Sequence, residues 1–188
     1  LTQLATTEQA QRKLAALALV KIDDGDPKIG PSDAAITIYE FSDYNCGYCK
    51  RIFNDLQVVL AEQPDVRLVV KEFPILAETS VLAAKAAIAA HRQGKFRQFH
   101  ISMMTRRGKI DEDAIDAAVQ KAGLDKNRLL KDMEDELTAT ILSKTRAAAA
   151  ALEVRGTPAL IIGETIIPGA ISKNEILDLI NQTRAAKN

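Results

Sequence analysis

Two cysteines separated by two residues, Cys46 and Cys49, constrain the fold of this chain more than any other feature of its sequence. They stand between residues 36–41, which alternate like a β-strand, and residues 50–62, which have the apolar repeat of a helix. At the start of a helix such sulfurs lie one turn apart, with Cα atoms about 5 Å from each other, which is within disulfide geometry. The pair can therefore open and close with little backbone movement, which predicts thiol–disulfide chemistry.

Other uses of the two cysteines fit the sequence less well. They are the only cysteines, and a disulfide that closes so small a loop restrains the chain little. A zinc site would need two more ligands, and the only histidines, His91 and His100, match no usual zinc spacing. We therefore expect no metal and no other cofactor, with the cysteine pair itself as the redox centre.

The length and composition limit the number of domains and the kinds of partner that we expect. The 188 residues suffice for one domain with a sizeable insertion, and 25 basic against 25 acidic residues leave no net charge to attract nucleic acid or anionic lipid. No apolar run approaches the ~18 to 20 residues of a membrane span. The chain starts at Leu1 without an initiator Met or a signal-peptide pattern, so we expect the mature form of a processed protein.

The first half of the chain reads as helix, connector, strand, helix and strand. Residues 1–20 have helical spacing and could pack on their own domain or pair with another subunit, and 23–33 form a turn-rich connector. A second strand follows at 66–73 and gives a β-α-β unit, which favours parallel pairing. The helix between the strands has an apolar stripe that places Cys49 on the buried side and Cys46 at the exposed N-terminal end, the stripe being Cys49, Ile52, Phe53, Leu56 and Leu60.

The second half reads as a run of helices followed by a hairpin and a last helix. Residues 79–152 are almost entirely helical, with Asp111 and Asp125 as N-caps. Two short strands joined by Gly163-Glu164 predict an antiparallel hairpin, and Ser172 with Glu175 forms a capping box. We divide the chain into an N-terminal helix and connector (1–33), a sheet domain (34–76 and 153–188) and an inserted helical subdomain (77–152).

Three motifs in this order carry a resemblance to a known family. The motifs are Phe41-Ser42-Asp43-Tyr44-Asn45-Cys46-Gly47-Tyr48-Cys49-Lys50, Lys71-Glu72-Phe73-Pro74 and Arg155-Gly156-Thr157-Pro158-Ala159. With them the chain resembles the thioredoxin superfamily, and its helical insertion resembles the DsbA-like branch, over about residues 34–185. The resemblance implies an α/β thioredoxin fold with a DsbA-type insertion, a periplasmic location and protein thiols as substrates.

The cysteines are predicted to have unequal roles. Cys46, at a helix N-terminus, faces unpaired N–H groups and the positive end of the helix dipole, which favour its thiolate. We therefore predict that Cys46 is the sulfur that attacks or is attacked, and that Cys49 resolves the mixed disulfide.

The resemblance also implies roles for residues around the cysteines. Pro158 is expected to be a cis proline facing the disulfide, and Thr157 to offer backbone hydrogen bonds to an extended substrate. Glu40 and Lys71 match the acidic and basic residues beneath the active site, where they should pair if both face inward and pass a proton to Cys49. Gly47 and Tyr48, between the cysteines, tune the redox potential.

The direction of exchange stays open at this point. Gly47-Tyr48 and the Thr157 before Pro158 are more similar to DsbC, DsbG and ScsC-type isomerases, since oxidant DsbA proteins carry Pro-His and Val-Pro there. The short N-terminal segment instead favours an oxidase, monomeric and kept oxidised by a quinone-linked membrane partner. An isomerase or reductase would be kept reduced by a membrane partner and could form an oligomer through residues 1–30. A non-catalytic chaperone or a glutathione-transferase relative on the same fold are the alternatives from other classes.

Overall fold

The computed structural model describes residues 2–21, 23 and 25–187, with side chains from Thr7 onward in that range. The predicted N-terminal helix can therefore be compared only from Thr2, because Leu1 lies outside the described residues. The elements are, in chain order, α1 (Thr2–Ala18), β1 (Lys28–Ile29), β2 (Ile36–Ser42), α2 (Gly47–Glu62), β3 (Val66–Glu72), α3 (Glu78–Arg92), α4 (Phe96–Thr105), α5 (Glu112–Lys121), α6 (Lys126–Met133), α7 (Glu136–Ala151), β4 (Ala159–Ile162), β5 (Thr165–Pro168) and α8 (Lys173–Lys187).

The strands form one five-stranded mixed sheet in the order β1-β3-β2-β4-β5. β2 and β3 are parallel and are joined through α2, while β4 and β5 form an antiparallel hairpin, so both predicted units are confirmed. β4 runs antiparallel to β2 and completes the centre of the sheet. β1 was not predicted: it has two residues, too few to show an alternation, and lies inside the predicted connector.

One face of the sheet carries the main apolar core. Side chains alternate between faces along a strand, and partners in register share a face. Ile38 is in register with Leu68 on β3 and with Ile162 on β4, and all three are almost fully buried. α2 and α8 cover this face through their own buried residues. Glu40, two residues after Ile38, points into the same core.

The opposite face packs against the first and seventh helices. Phe41 and Ile161 lie on this side and contact a second apolar cluster. Ala16 of α1 and Ala148 of α7 belong to that cluster, and small side chains there let the helices approach the sheet closely. The predicted packing of the N-terminal helix on its own chain is thus present at the C-terminal end of α1.

Glu40 and Lys71 do not pair as the resemblance implied. Lys71 is in register with Phe41, whereas Glu40 is in register with Val70, so the two charged side chains point to opposite faces of the sheet. Lys71 Nζ instead lies 2.6 Å from Asp26 Oδ2 in the connector, with side-chain exposures of 4% and 2%. Lys71 therefore holds the N-terminal connector against β3 through its ion pair with Asp26.

The predicted caps at the starts of three helices are present in the structure. Asp111 and Asp125 cap α5 and α6 with their side chains, and Ser172 and Glu175 form the predicted capping box at α8. Asp135 caps α7 in the same way and was not predicted. No helix within the described residues is both long and apolar enough to cross a bilayer.

We predict that Asp26→Asn destabilises the protein by about 3 to 5 kcal/mol, because it leaves the buried Lys71 ammonium unpaired. Chemical denaturation of the reduced protein measures this loss. The matched control is Glu134→Gln, which breaks the ion pair of Glu134 with Lys85, where Glu134 is 72% exposed. The control should cost less than about 1 kcal/mol. Equal losses in the two variants would contradict a structural role for the buried pair.

Candidate active site

Cys46 occupies the N-cap of α2 and caps the helix with its own sulfur. Its backbone is extended (φ −81°, ψ 115°), and Cys46 Sγ accepts a hydrogen bond from the backbone N–H of Cys49 at 3.2 Å. The side chain was predicted to be exposed, and this is wrong, because only 6% of its surface is accessible. The loop before β4 covers it, with Cys46 Sγ 3.3 Å from the carbonyl oxygen of Thr157.

Cys49 lies one turn further along the helix and is completely buried. It belongs to the predicted apolar stripe, of which Ile52, Phe53 and Leu56 are also buried, while Leu60 is only partly covered. Both cysteines are free thiols in this structure. Among the described residues, no group of three or more His, Cys, Asp or Glu side chains is placed to hold a metal ion.

The two thiols differ strongly in acidity. The hydrogen bond with Cys49, aided by the backbone N–H groups of Cys49 and Tyr48, lowers the pKa of Cys46 to about 6 against the opposing effect of burial. The same hydrogen bond, burial and the charge of Glu40 raise the pKa of Cys49 far above its ordinary value. The reduced site therefore holds one thiolate, on Cys46, next to a thiol that keeps its proton.

Thr157 and Pro158 lie directly against the cysteine pair. The peptide bond between them is cis, as the resemblance implied. They line one side of an open cleft of about 400 Å³, and Tyr48 and Arg51 of α2 line the other. Tyr48 is 58% exposed and its ring lies under the Arg51 guanidinium at 4.8 Å, so an aromatic and cationic surface borders the cleft. Gly47 has no neighbour that a Cβ atom would meet.

Glu40 is a buried carboxyl beneath the cysteines, with 1% of its surface exposed. Burial raises its pKa to about 8; the Ser42 hydroxyl lowers it in part, and the charge of Cys46 raises it further. Ser42 Oγ and Glu40 Oε1 nevertheless lie outside good hydrogen-bonding geometry. The charge of Glu40 helps to raise the pKa of Cys49, whereas Lys71 lies on the other face of the sheet.

The turn before Cys46 contains an aspartate that sequence reasoning passed over. Asp43 is buried, and its Oδ1 accepts hydrogen bonds from the Asn45 N–H (2.8 Å) and from Ser80 Oγ (2.7 Å). Its Oδ2 accepts from the N–H groups of Ile75 (2.9 Å) and Leu76 (3.0 Å). One carboxylate thus joins the active-site turn to the loop after β3. An aspartate just before a helix start is a turn signal, but its distant partners are not visible in the sequence.

Asn45 extends this connection to the helical insertion. Its Nδ2 donates to Ser80 Oγ (2.9 Å) and Thr79 Oγ1 (3.2 Å) at the start of α3. Its Oδ1 accepts from the backbone N–H of Ile110, just before α5, at 2.9 Å. The position of Cys46 is therefore held from both the sheet and the insertion.

A second group of buried polar side chains lies behind the turn. Tyr44, Glu72 and His100 are almost fully buried and hydrogen-bonded in a chain, which the sequence did not predict. The His100 ring also packs against Phe96, with ring centroids 4.9 Å apart. Burial lowers its pKa to about 3, so His100 is neutral.

Comparison with known proteins agrees with this geometry. The family model of the DSBA-like thioredoxin domain matches residues 37–181. The chain therefore belongs to the DsbA-like family of thiol–disulfide oxidoreductases and has the thioredoxin fold with a helical insertion, as predicted.

Solved structures show the same likeness. A thioredoxin-like oxidoreductase from Silicibacter pomeroyi is 35% identical, with a TM-score of 0.83 over 87% of this chain and 94% of that one. A periplasmic thioredoxin-like protein from Salmonella enterica serovar Typhimurium is 32% identical, with a TM-score of 0.83 over 91% and 97%. The catalytic domain of Proteus mirabilis ScsC is 26% identical, with a TM-score of 0.84 over 93% and 98%.

Curated relatives include much longer proteins. The Na(+)/H(+) antiporter NhaA of Herminiimonas arsenicoxydans is 26% identical over 179 residues, which are 92% of this chain but 28% of that protein. Disulfide bond formation protein D of Bacillus subtilis is 22% identical over 193 residues, covering 96% of this chain and 86% of that protein. The chain thus spans about a quarter of the antiporter's length and most of the Bacillus protein.

We predict that iodoacetamide alkylates the reduced protein once, at Cys46, with a rate that rises through an inflection near pH 6. The thiolate is the reactive form, and a lowered pKa lets it persist to lower pH. Cys49 is spared because it is buried and keeps its proton. Cys49→Ala removes the side-chain hydrogen bond and should move the inflection upward. An inflection near the ordinary thiol value of about 8.5 in the wild-type protein would contradict this assignment.

Proposed function

We propose that this protein is a thiol–disulfide oxidoreductase that exchanges disulfides with cysteines of exported proteins through Cys46 and Cys49. The observation that carries the proposal is the inequality of the two sulfurs. Cys46 caps a helix, contacts Thr157 at the border of the cleft and has a pKa of about 6, whereas Cys49 is buried and holds its proton. A stabilised Cys46 thiolate is a good leaving group, which makes the disulfide form oxidising.

The exchange starts from the Cys46–Cys49 disulfide. A client thiolate attacks Cys46 Sγ, the bond between the two protein sulfurs breaks, and Cys49 Sγ leaves with the electron pair. Glu40, a neutral acid below pH about 8, gives its proton to Cys49. A second client thiolate then attacks the client sulfur of the mixed disulfide and releases Cys46 as a thiolate. Two client thiolates become one disulfide, and the protein pair is reduced to a thiolate and a thiol.

The cleft supports binding of an extended client segment. Thr157 and Pro158 line it, and the carbonyl oxygen of Thr157 lies 3.3 Å from Cys46 Sγ. In the disulfide form Cys46 has no S–H to donate, so this carbonyl is available to accept from the backbone N–H of an extended client. Tyr48 contributes an exposed ring next to the reacting sulfur. A client cysteine held there can approach Cys46 while Cys49 stays shielded.

Oxidation of clients is the direction that we favour. α1 packs on α7 of the same chain near its C-terminal end, in line with the monomer expected of an oxidase. The relative from Bacillus subtilis is named as a disulfide bond formation protein. Gly47-Tyr48 and Thr157 favour the alternative, an oligomeric isomerase or reductase assembled through residues 1–30. Binding of clients without catalysis is the third candidate.

The proposed setting is the periplasm. The relative from Salmonella is described as a periplasmic protein, and disulfides persist in that oxidising compartment. An oxidase there needs a membrane partner that returns electrons to quinone, and an isomerase needs a membrane reductant. No nucleic acid is expected as a partner, because the net charge is zero.

The direction is tested by equilibrating the cysteine pair with glutathione buffers. An oxidase should have a potential less negative than about −180 mV, toward the value of about −120 mV known for DsbA itself, because the Cys46 thiolate stabilises the reduced form. A potential near about −270 mV, as in thioredoxin, would refute the oxidase. Cys46→Ala should abolish exchange with a reduced client, and retained activity would point to a chaperone. Sedimentation showing an oligomer that needs residues 1–30 would favour the isomerase.

We predict that Glu40→Gln changes the pH dependence of exchange. Below pH about 8 the wild-type acid supplies the proton to Cys49, and above it the carboxylate cannot. The ratio of wild-type to variant rates should therefore fall from roughly 10²-fold at low pH toward unity as the pH passes 8. Stopped-flow exchange with one client thiol measures this ratio, in which the client's own titration cancels. A ratio that stays constant with pH removes Glu40 from the mechanism.

A further inference from the structure

A second buried carboxyl lies next to Glu40 on the same face of the sheet. Glu72 of β3 is in register with Ser42 of β2, two residues beyond Glu40. Neighbouring strands lie about 4.8 Å apart and rise about 3.3 Å per residue, so residues offset by two positions lie about 8 Å apart, within reach of two glutamate side chains. Glu40 and Glu72 each have 1% of their surface exposed. Glu72 Oε1 accepts a hydrogen bond from Tyr44 Oη, while Glu72 Oε2 and Glu40 Oε1 have no hydrogen-bond partner among the described residues.

The surroundings of these two carboxyls contain no balancing cation. Among the described residues neither forms an ion pair, and Lys71 is on the other face with Asp26. Burial, followed by the charges of Asp43 and Glu40, holds the pKa of Glu72 well above its usual range. The titratable groups that face the pair are Asp43 and Tyr44 of the turn, Cys46 and Cys49 of α2, and His100 of α4. Burial therefore favours the neutral acid form of Glu72.

The chain from Glu72 to His100 determines where the proton of Glu72 resides. Tyr44 Oη donates to Glu72 Oε1 at 3.2 Å and lies 2.9 Å from His100 Nδ1. In the Nδ1–H tautomer, His100 donates to Tyr44 Oη, and Tyr44 in turn donates to Glu72 Oε1. Phe53 and Phe96 enclose the imidazole and hold its orientation. With that tautomer Glu72 Oε1 is an acceptor, and the acid proton of Glu72 lies on Oε2.

Three buried oxygens on this face of the sheet have no hydrogen-bond partner. They are Glu72 Oε2, Ser42 Oγ and Glu40 Oε1, from neighbouring strands in register. A donor on Glu72 Oε2 and acceptors on Glu40 and Ser42 complement one another. An unpaired buried polar atom is costly, and it is most costly when it becomes charged.

We propose that Glu72 is a positioning residue for proton exchange between Glu40 and Cys49: it stays a neutral acid, fixed by Tyr44 and His100, and donates its Oε2 proton in a hydrogen bond to the Glu40 carboxylate. The inference rests on the proposed function, because that carboxylate forms when Glu40 protonates the leaving Cys49. Glu72 transfers no proton and changes no bond. It lowers the cost of leaving a charge on Glu40, directly or through Ser42.

The test compares Glu72→Met, which has no donor, with Glu72→Gln, which keeps an uncharged donor and an acceptor for Tyr44. Carboxyl ¹³C NMR of the reduced protein follows each glutamate with pH. In Glu72→Met the inflection of Glu40 should move up by about one pH unit or more, and in Glu72→Gln it should return to about the wild-type value. The pH dependence of exchange should shift in parallel. Glu134→Gln, at the surface, is the control.

Two results would overturn the inference. One is an unmoved Glu40 inflection in Glu72→Met; the other is a lowered inflection in Glu72→Gln, which would identify Glu72 as a carboxylate. If Glu72→Met does not fold, the wild-type spectrum decides, because a Glu72 carboxyl that titrates below Glu40 is incompatible with a neutral donor. The titrations need no client, so loss of the proposed function would appear as absent exchange with these shifts intact.

Discussion

The hydrogen bond from the Cys49 N–H to Cys46 Sγ is the interaction on which the site depends. It begins α2 at a sulfur, where most helices use an oxygen, and a sulfur accepts this bond best as a thiolate. The same hydrogen bond therefore caps the helix and lowers the pKa of Cys46. Since the helix runs from this cap into the core, Cys49 must lie one turn deeper, where burial and Cys46 itself oppose its ionisation.

The alternation of the sheet then separates the charges beneath the helix. Glu40 and Glu72 point toward the cysteines, whereas Lys71 points away and pairs with Asp26. A cation on the cysteine side would have ionised Glu40 and removed a proton donor. The structure instead keeps two carboxyls with raised pKa values on that side, and Lys71 pairs on the opposite face, where the ion pair joins the connector to the sheet.

Local patterns predicted most of the fold. The strand alternation, the helix stripe, the capping aspartates and the Gly163-Glu164 turn act between residues close in the chain, so their outcome could be derived residue by residue. The strand β1 was not predicted, because two residues are too few to show the alternation of a strand. The sequence did not predict the roles of four polar residues near the site, Asp43, Tyr44, Asn45 and His100. Their hydrogen-bond partners are distant in the chain, as Ile110 is from Asn45.

Residue order was enough to identify the cysteine pair, the inequality of its sulfurs and the chemistry they support, because a helix N-terminus and an apolar stripe are local features. How far Cys46 is covered, which face receives Lys71, and how Tyr44 connects Glu72 with His100 were set by folding. Each of these features depends on strand register or on contact with a residue far away in the chain. Contacts between distant residues leave no repeating pattern in the sequence from which they could be predicted.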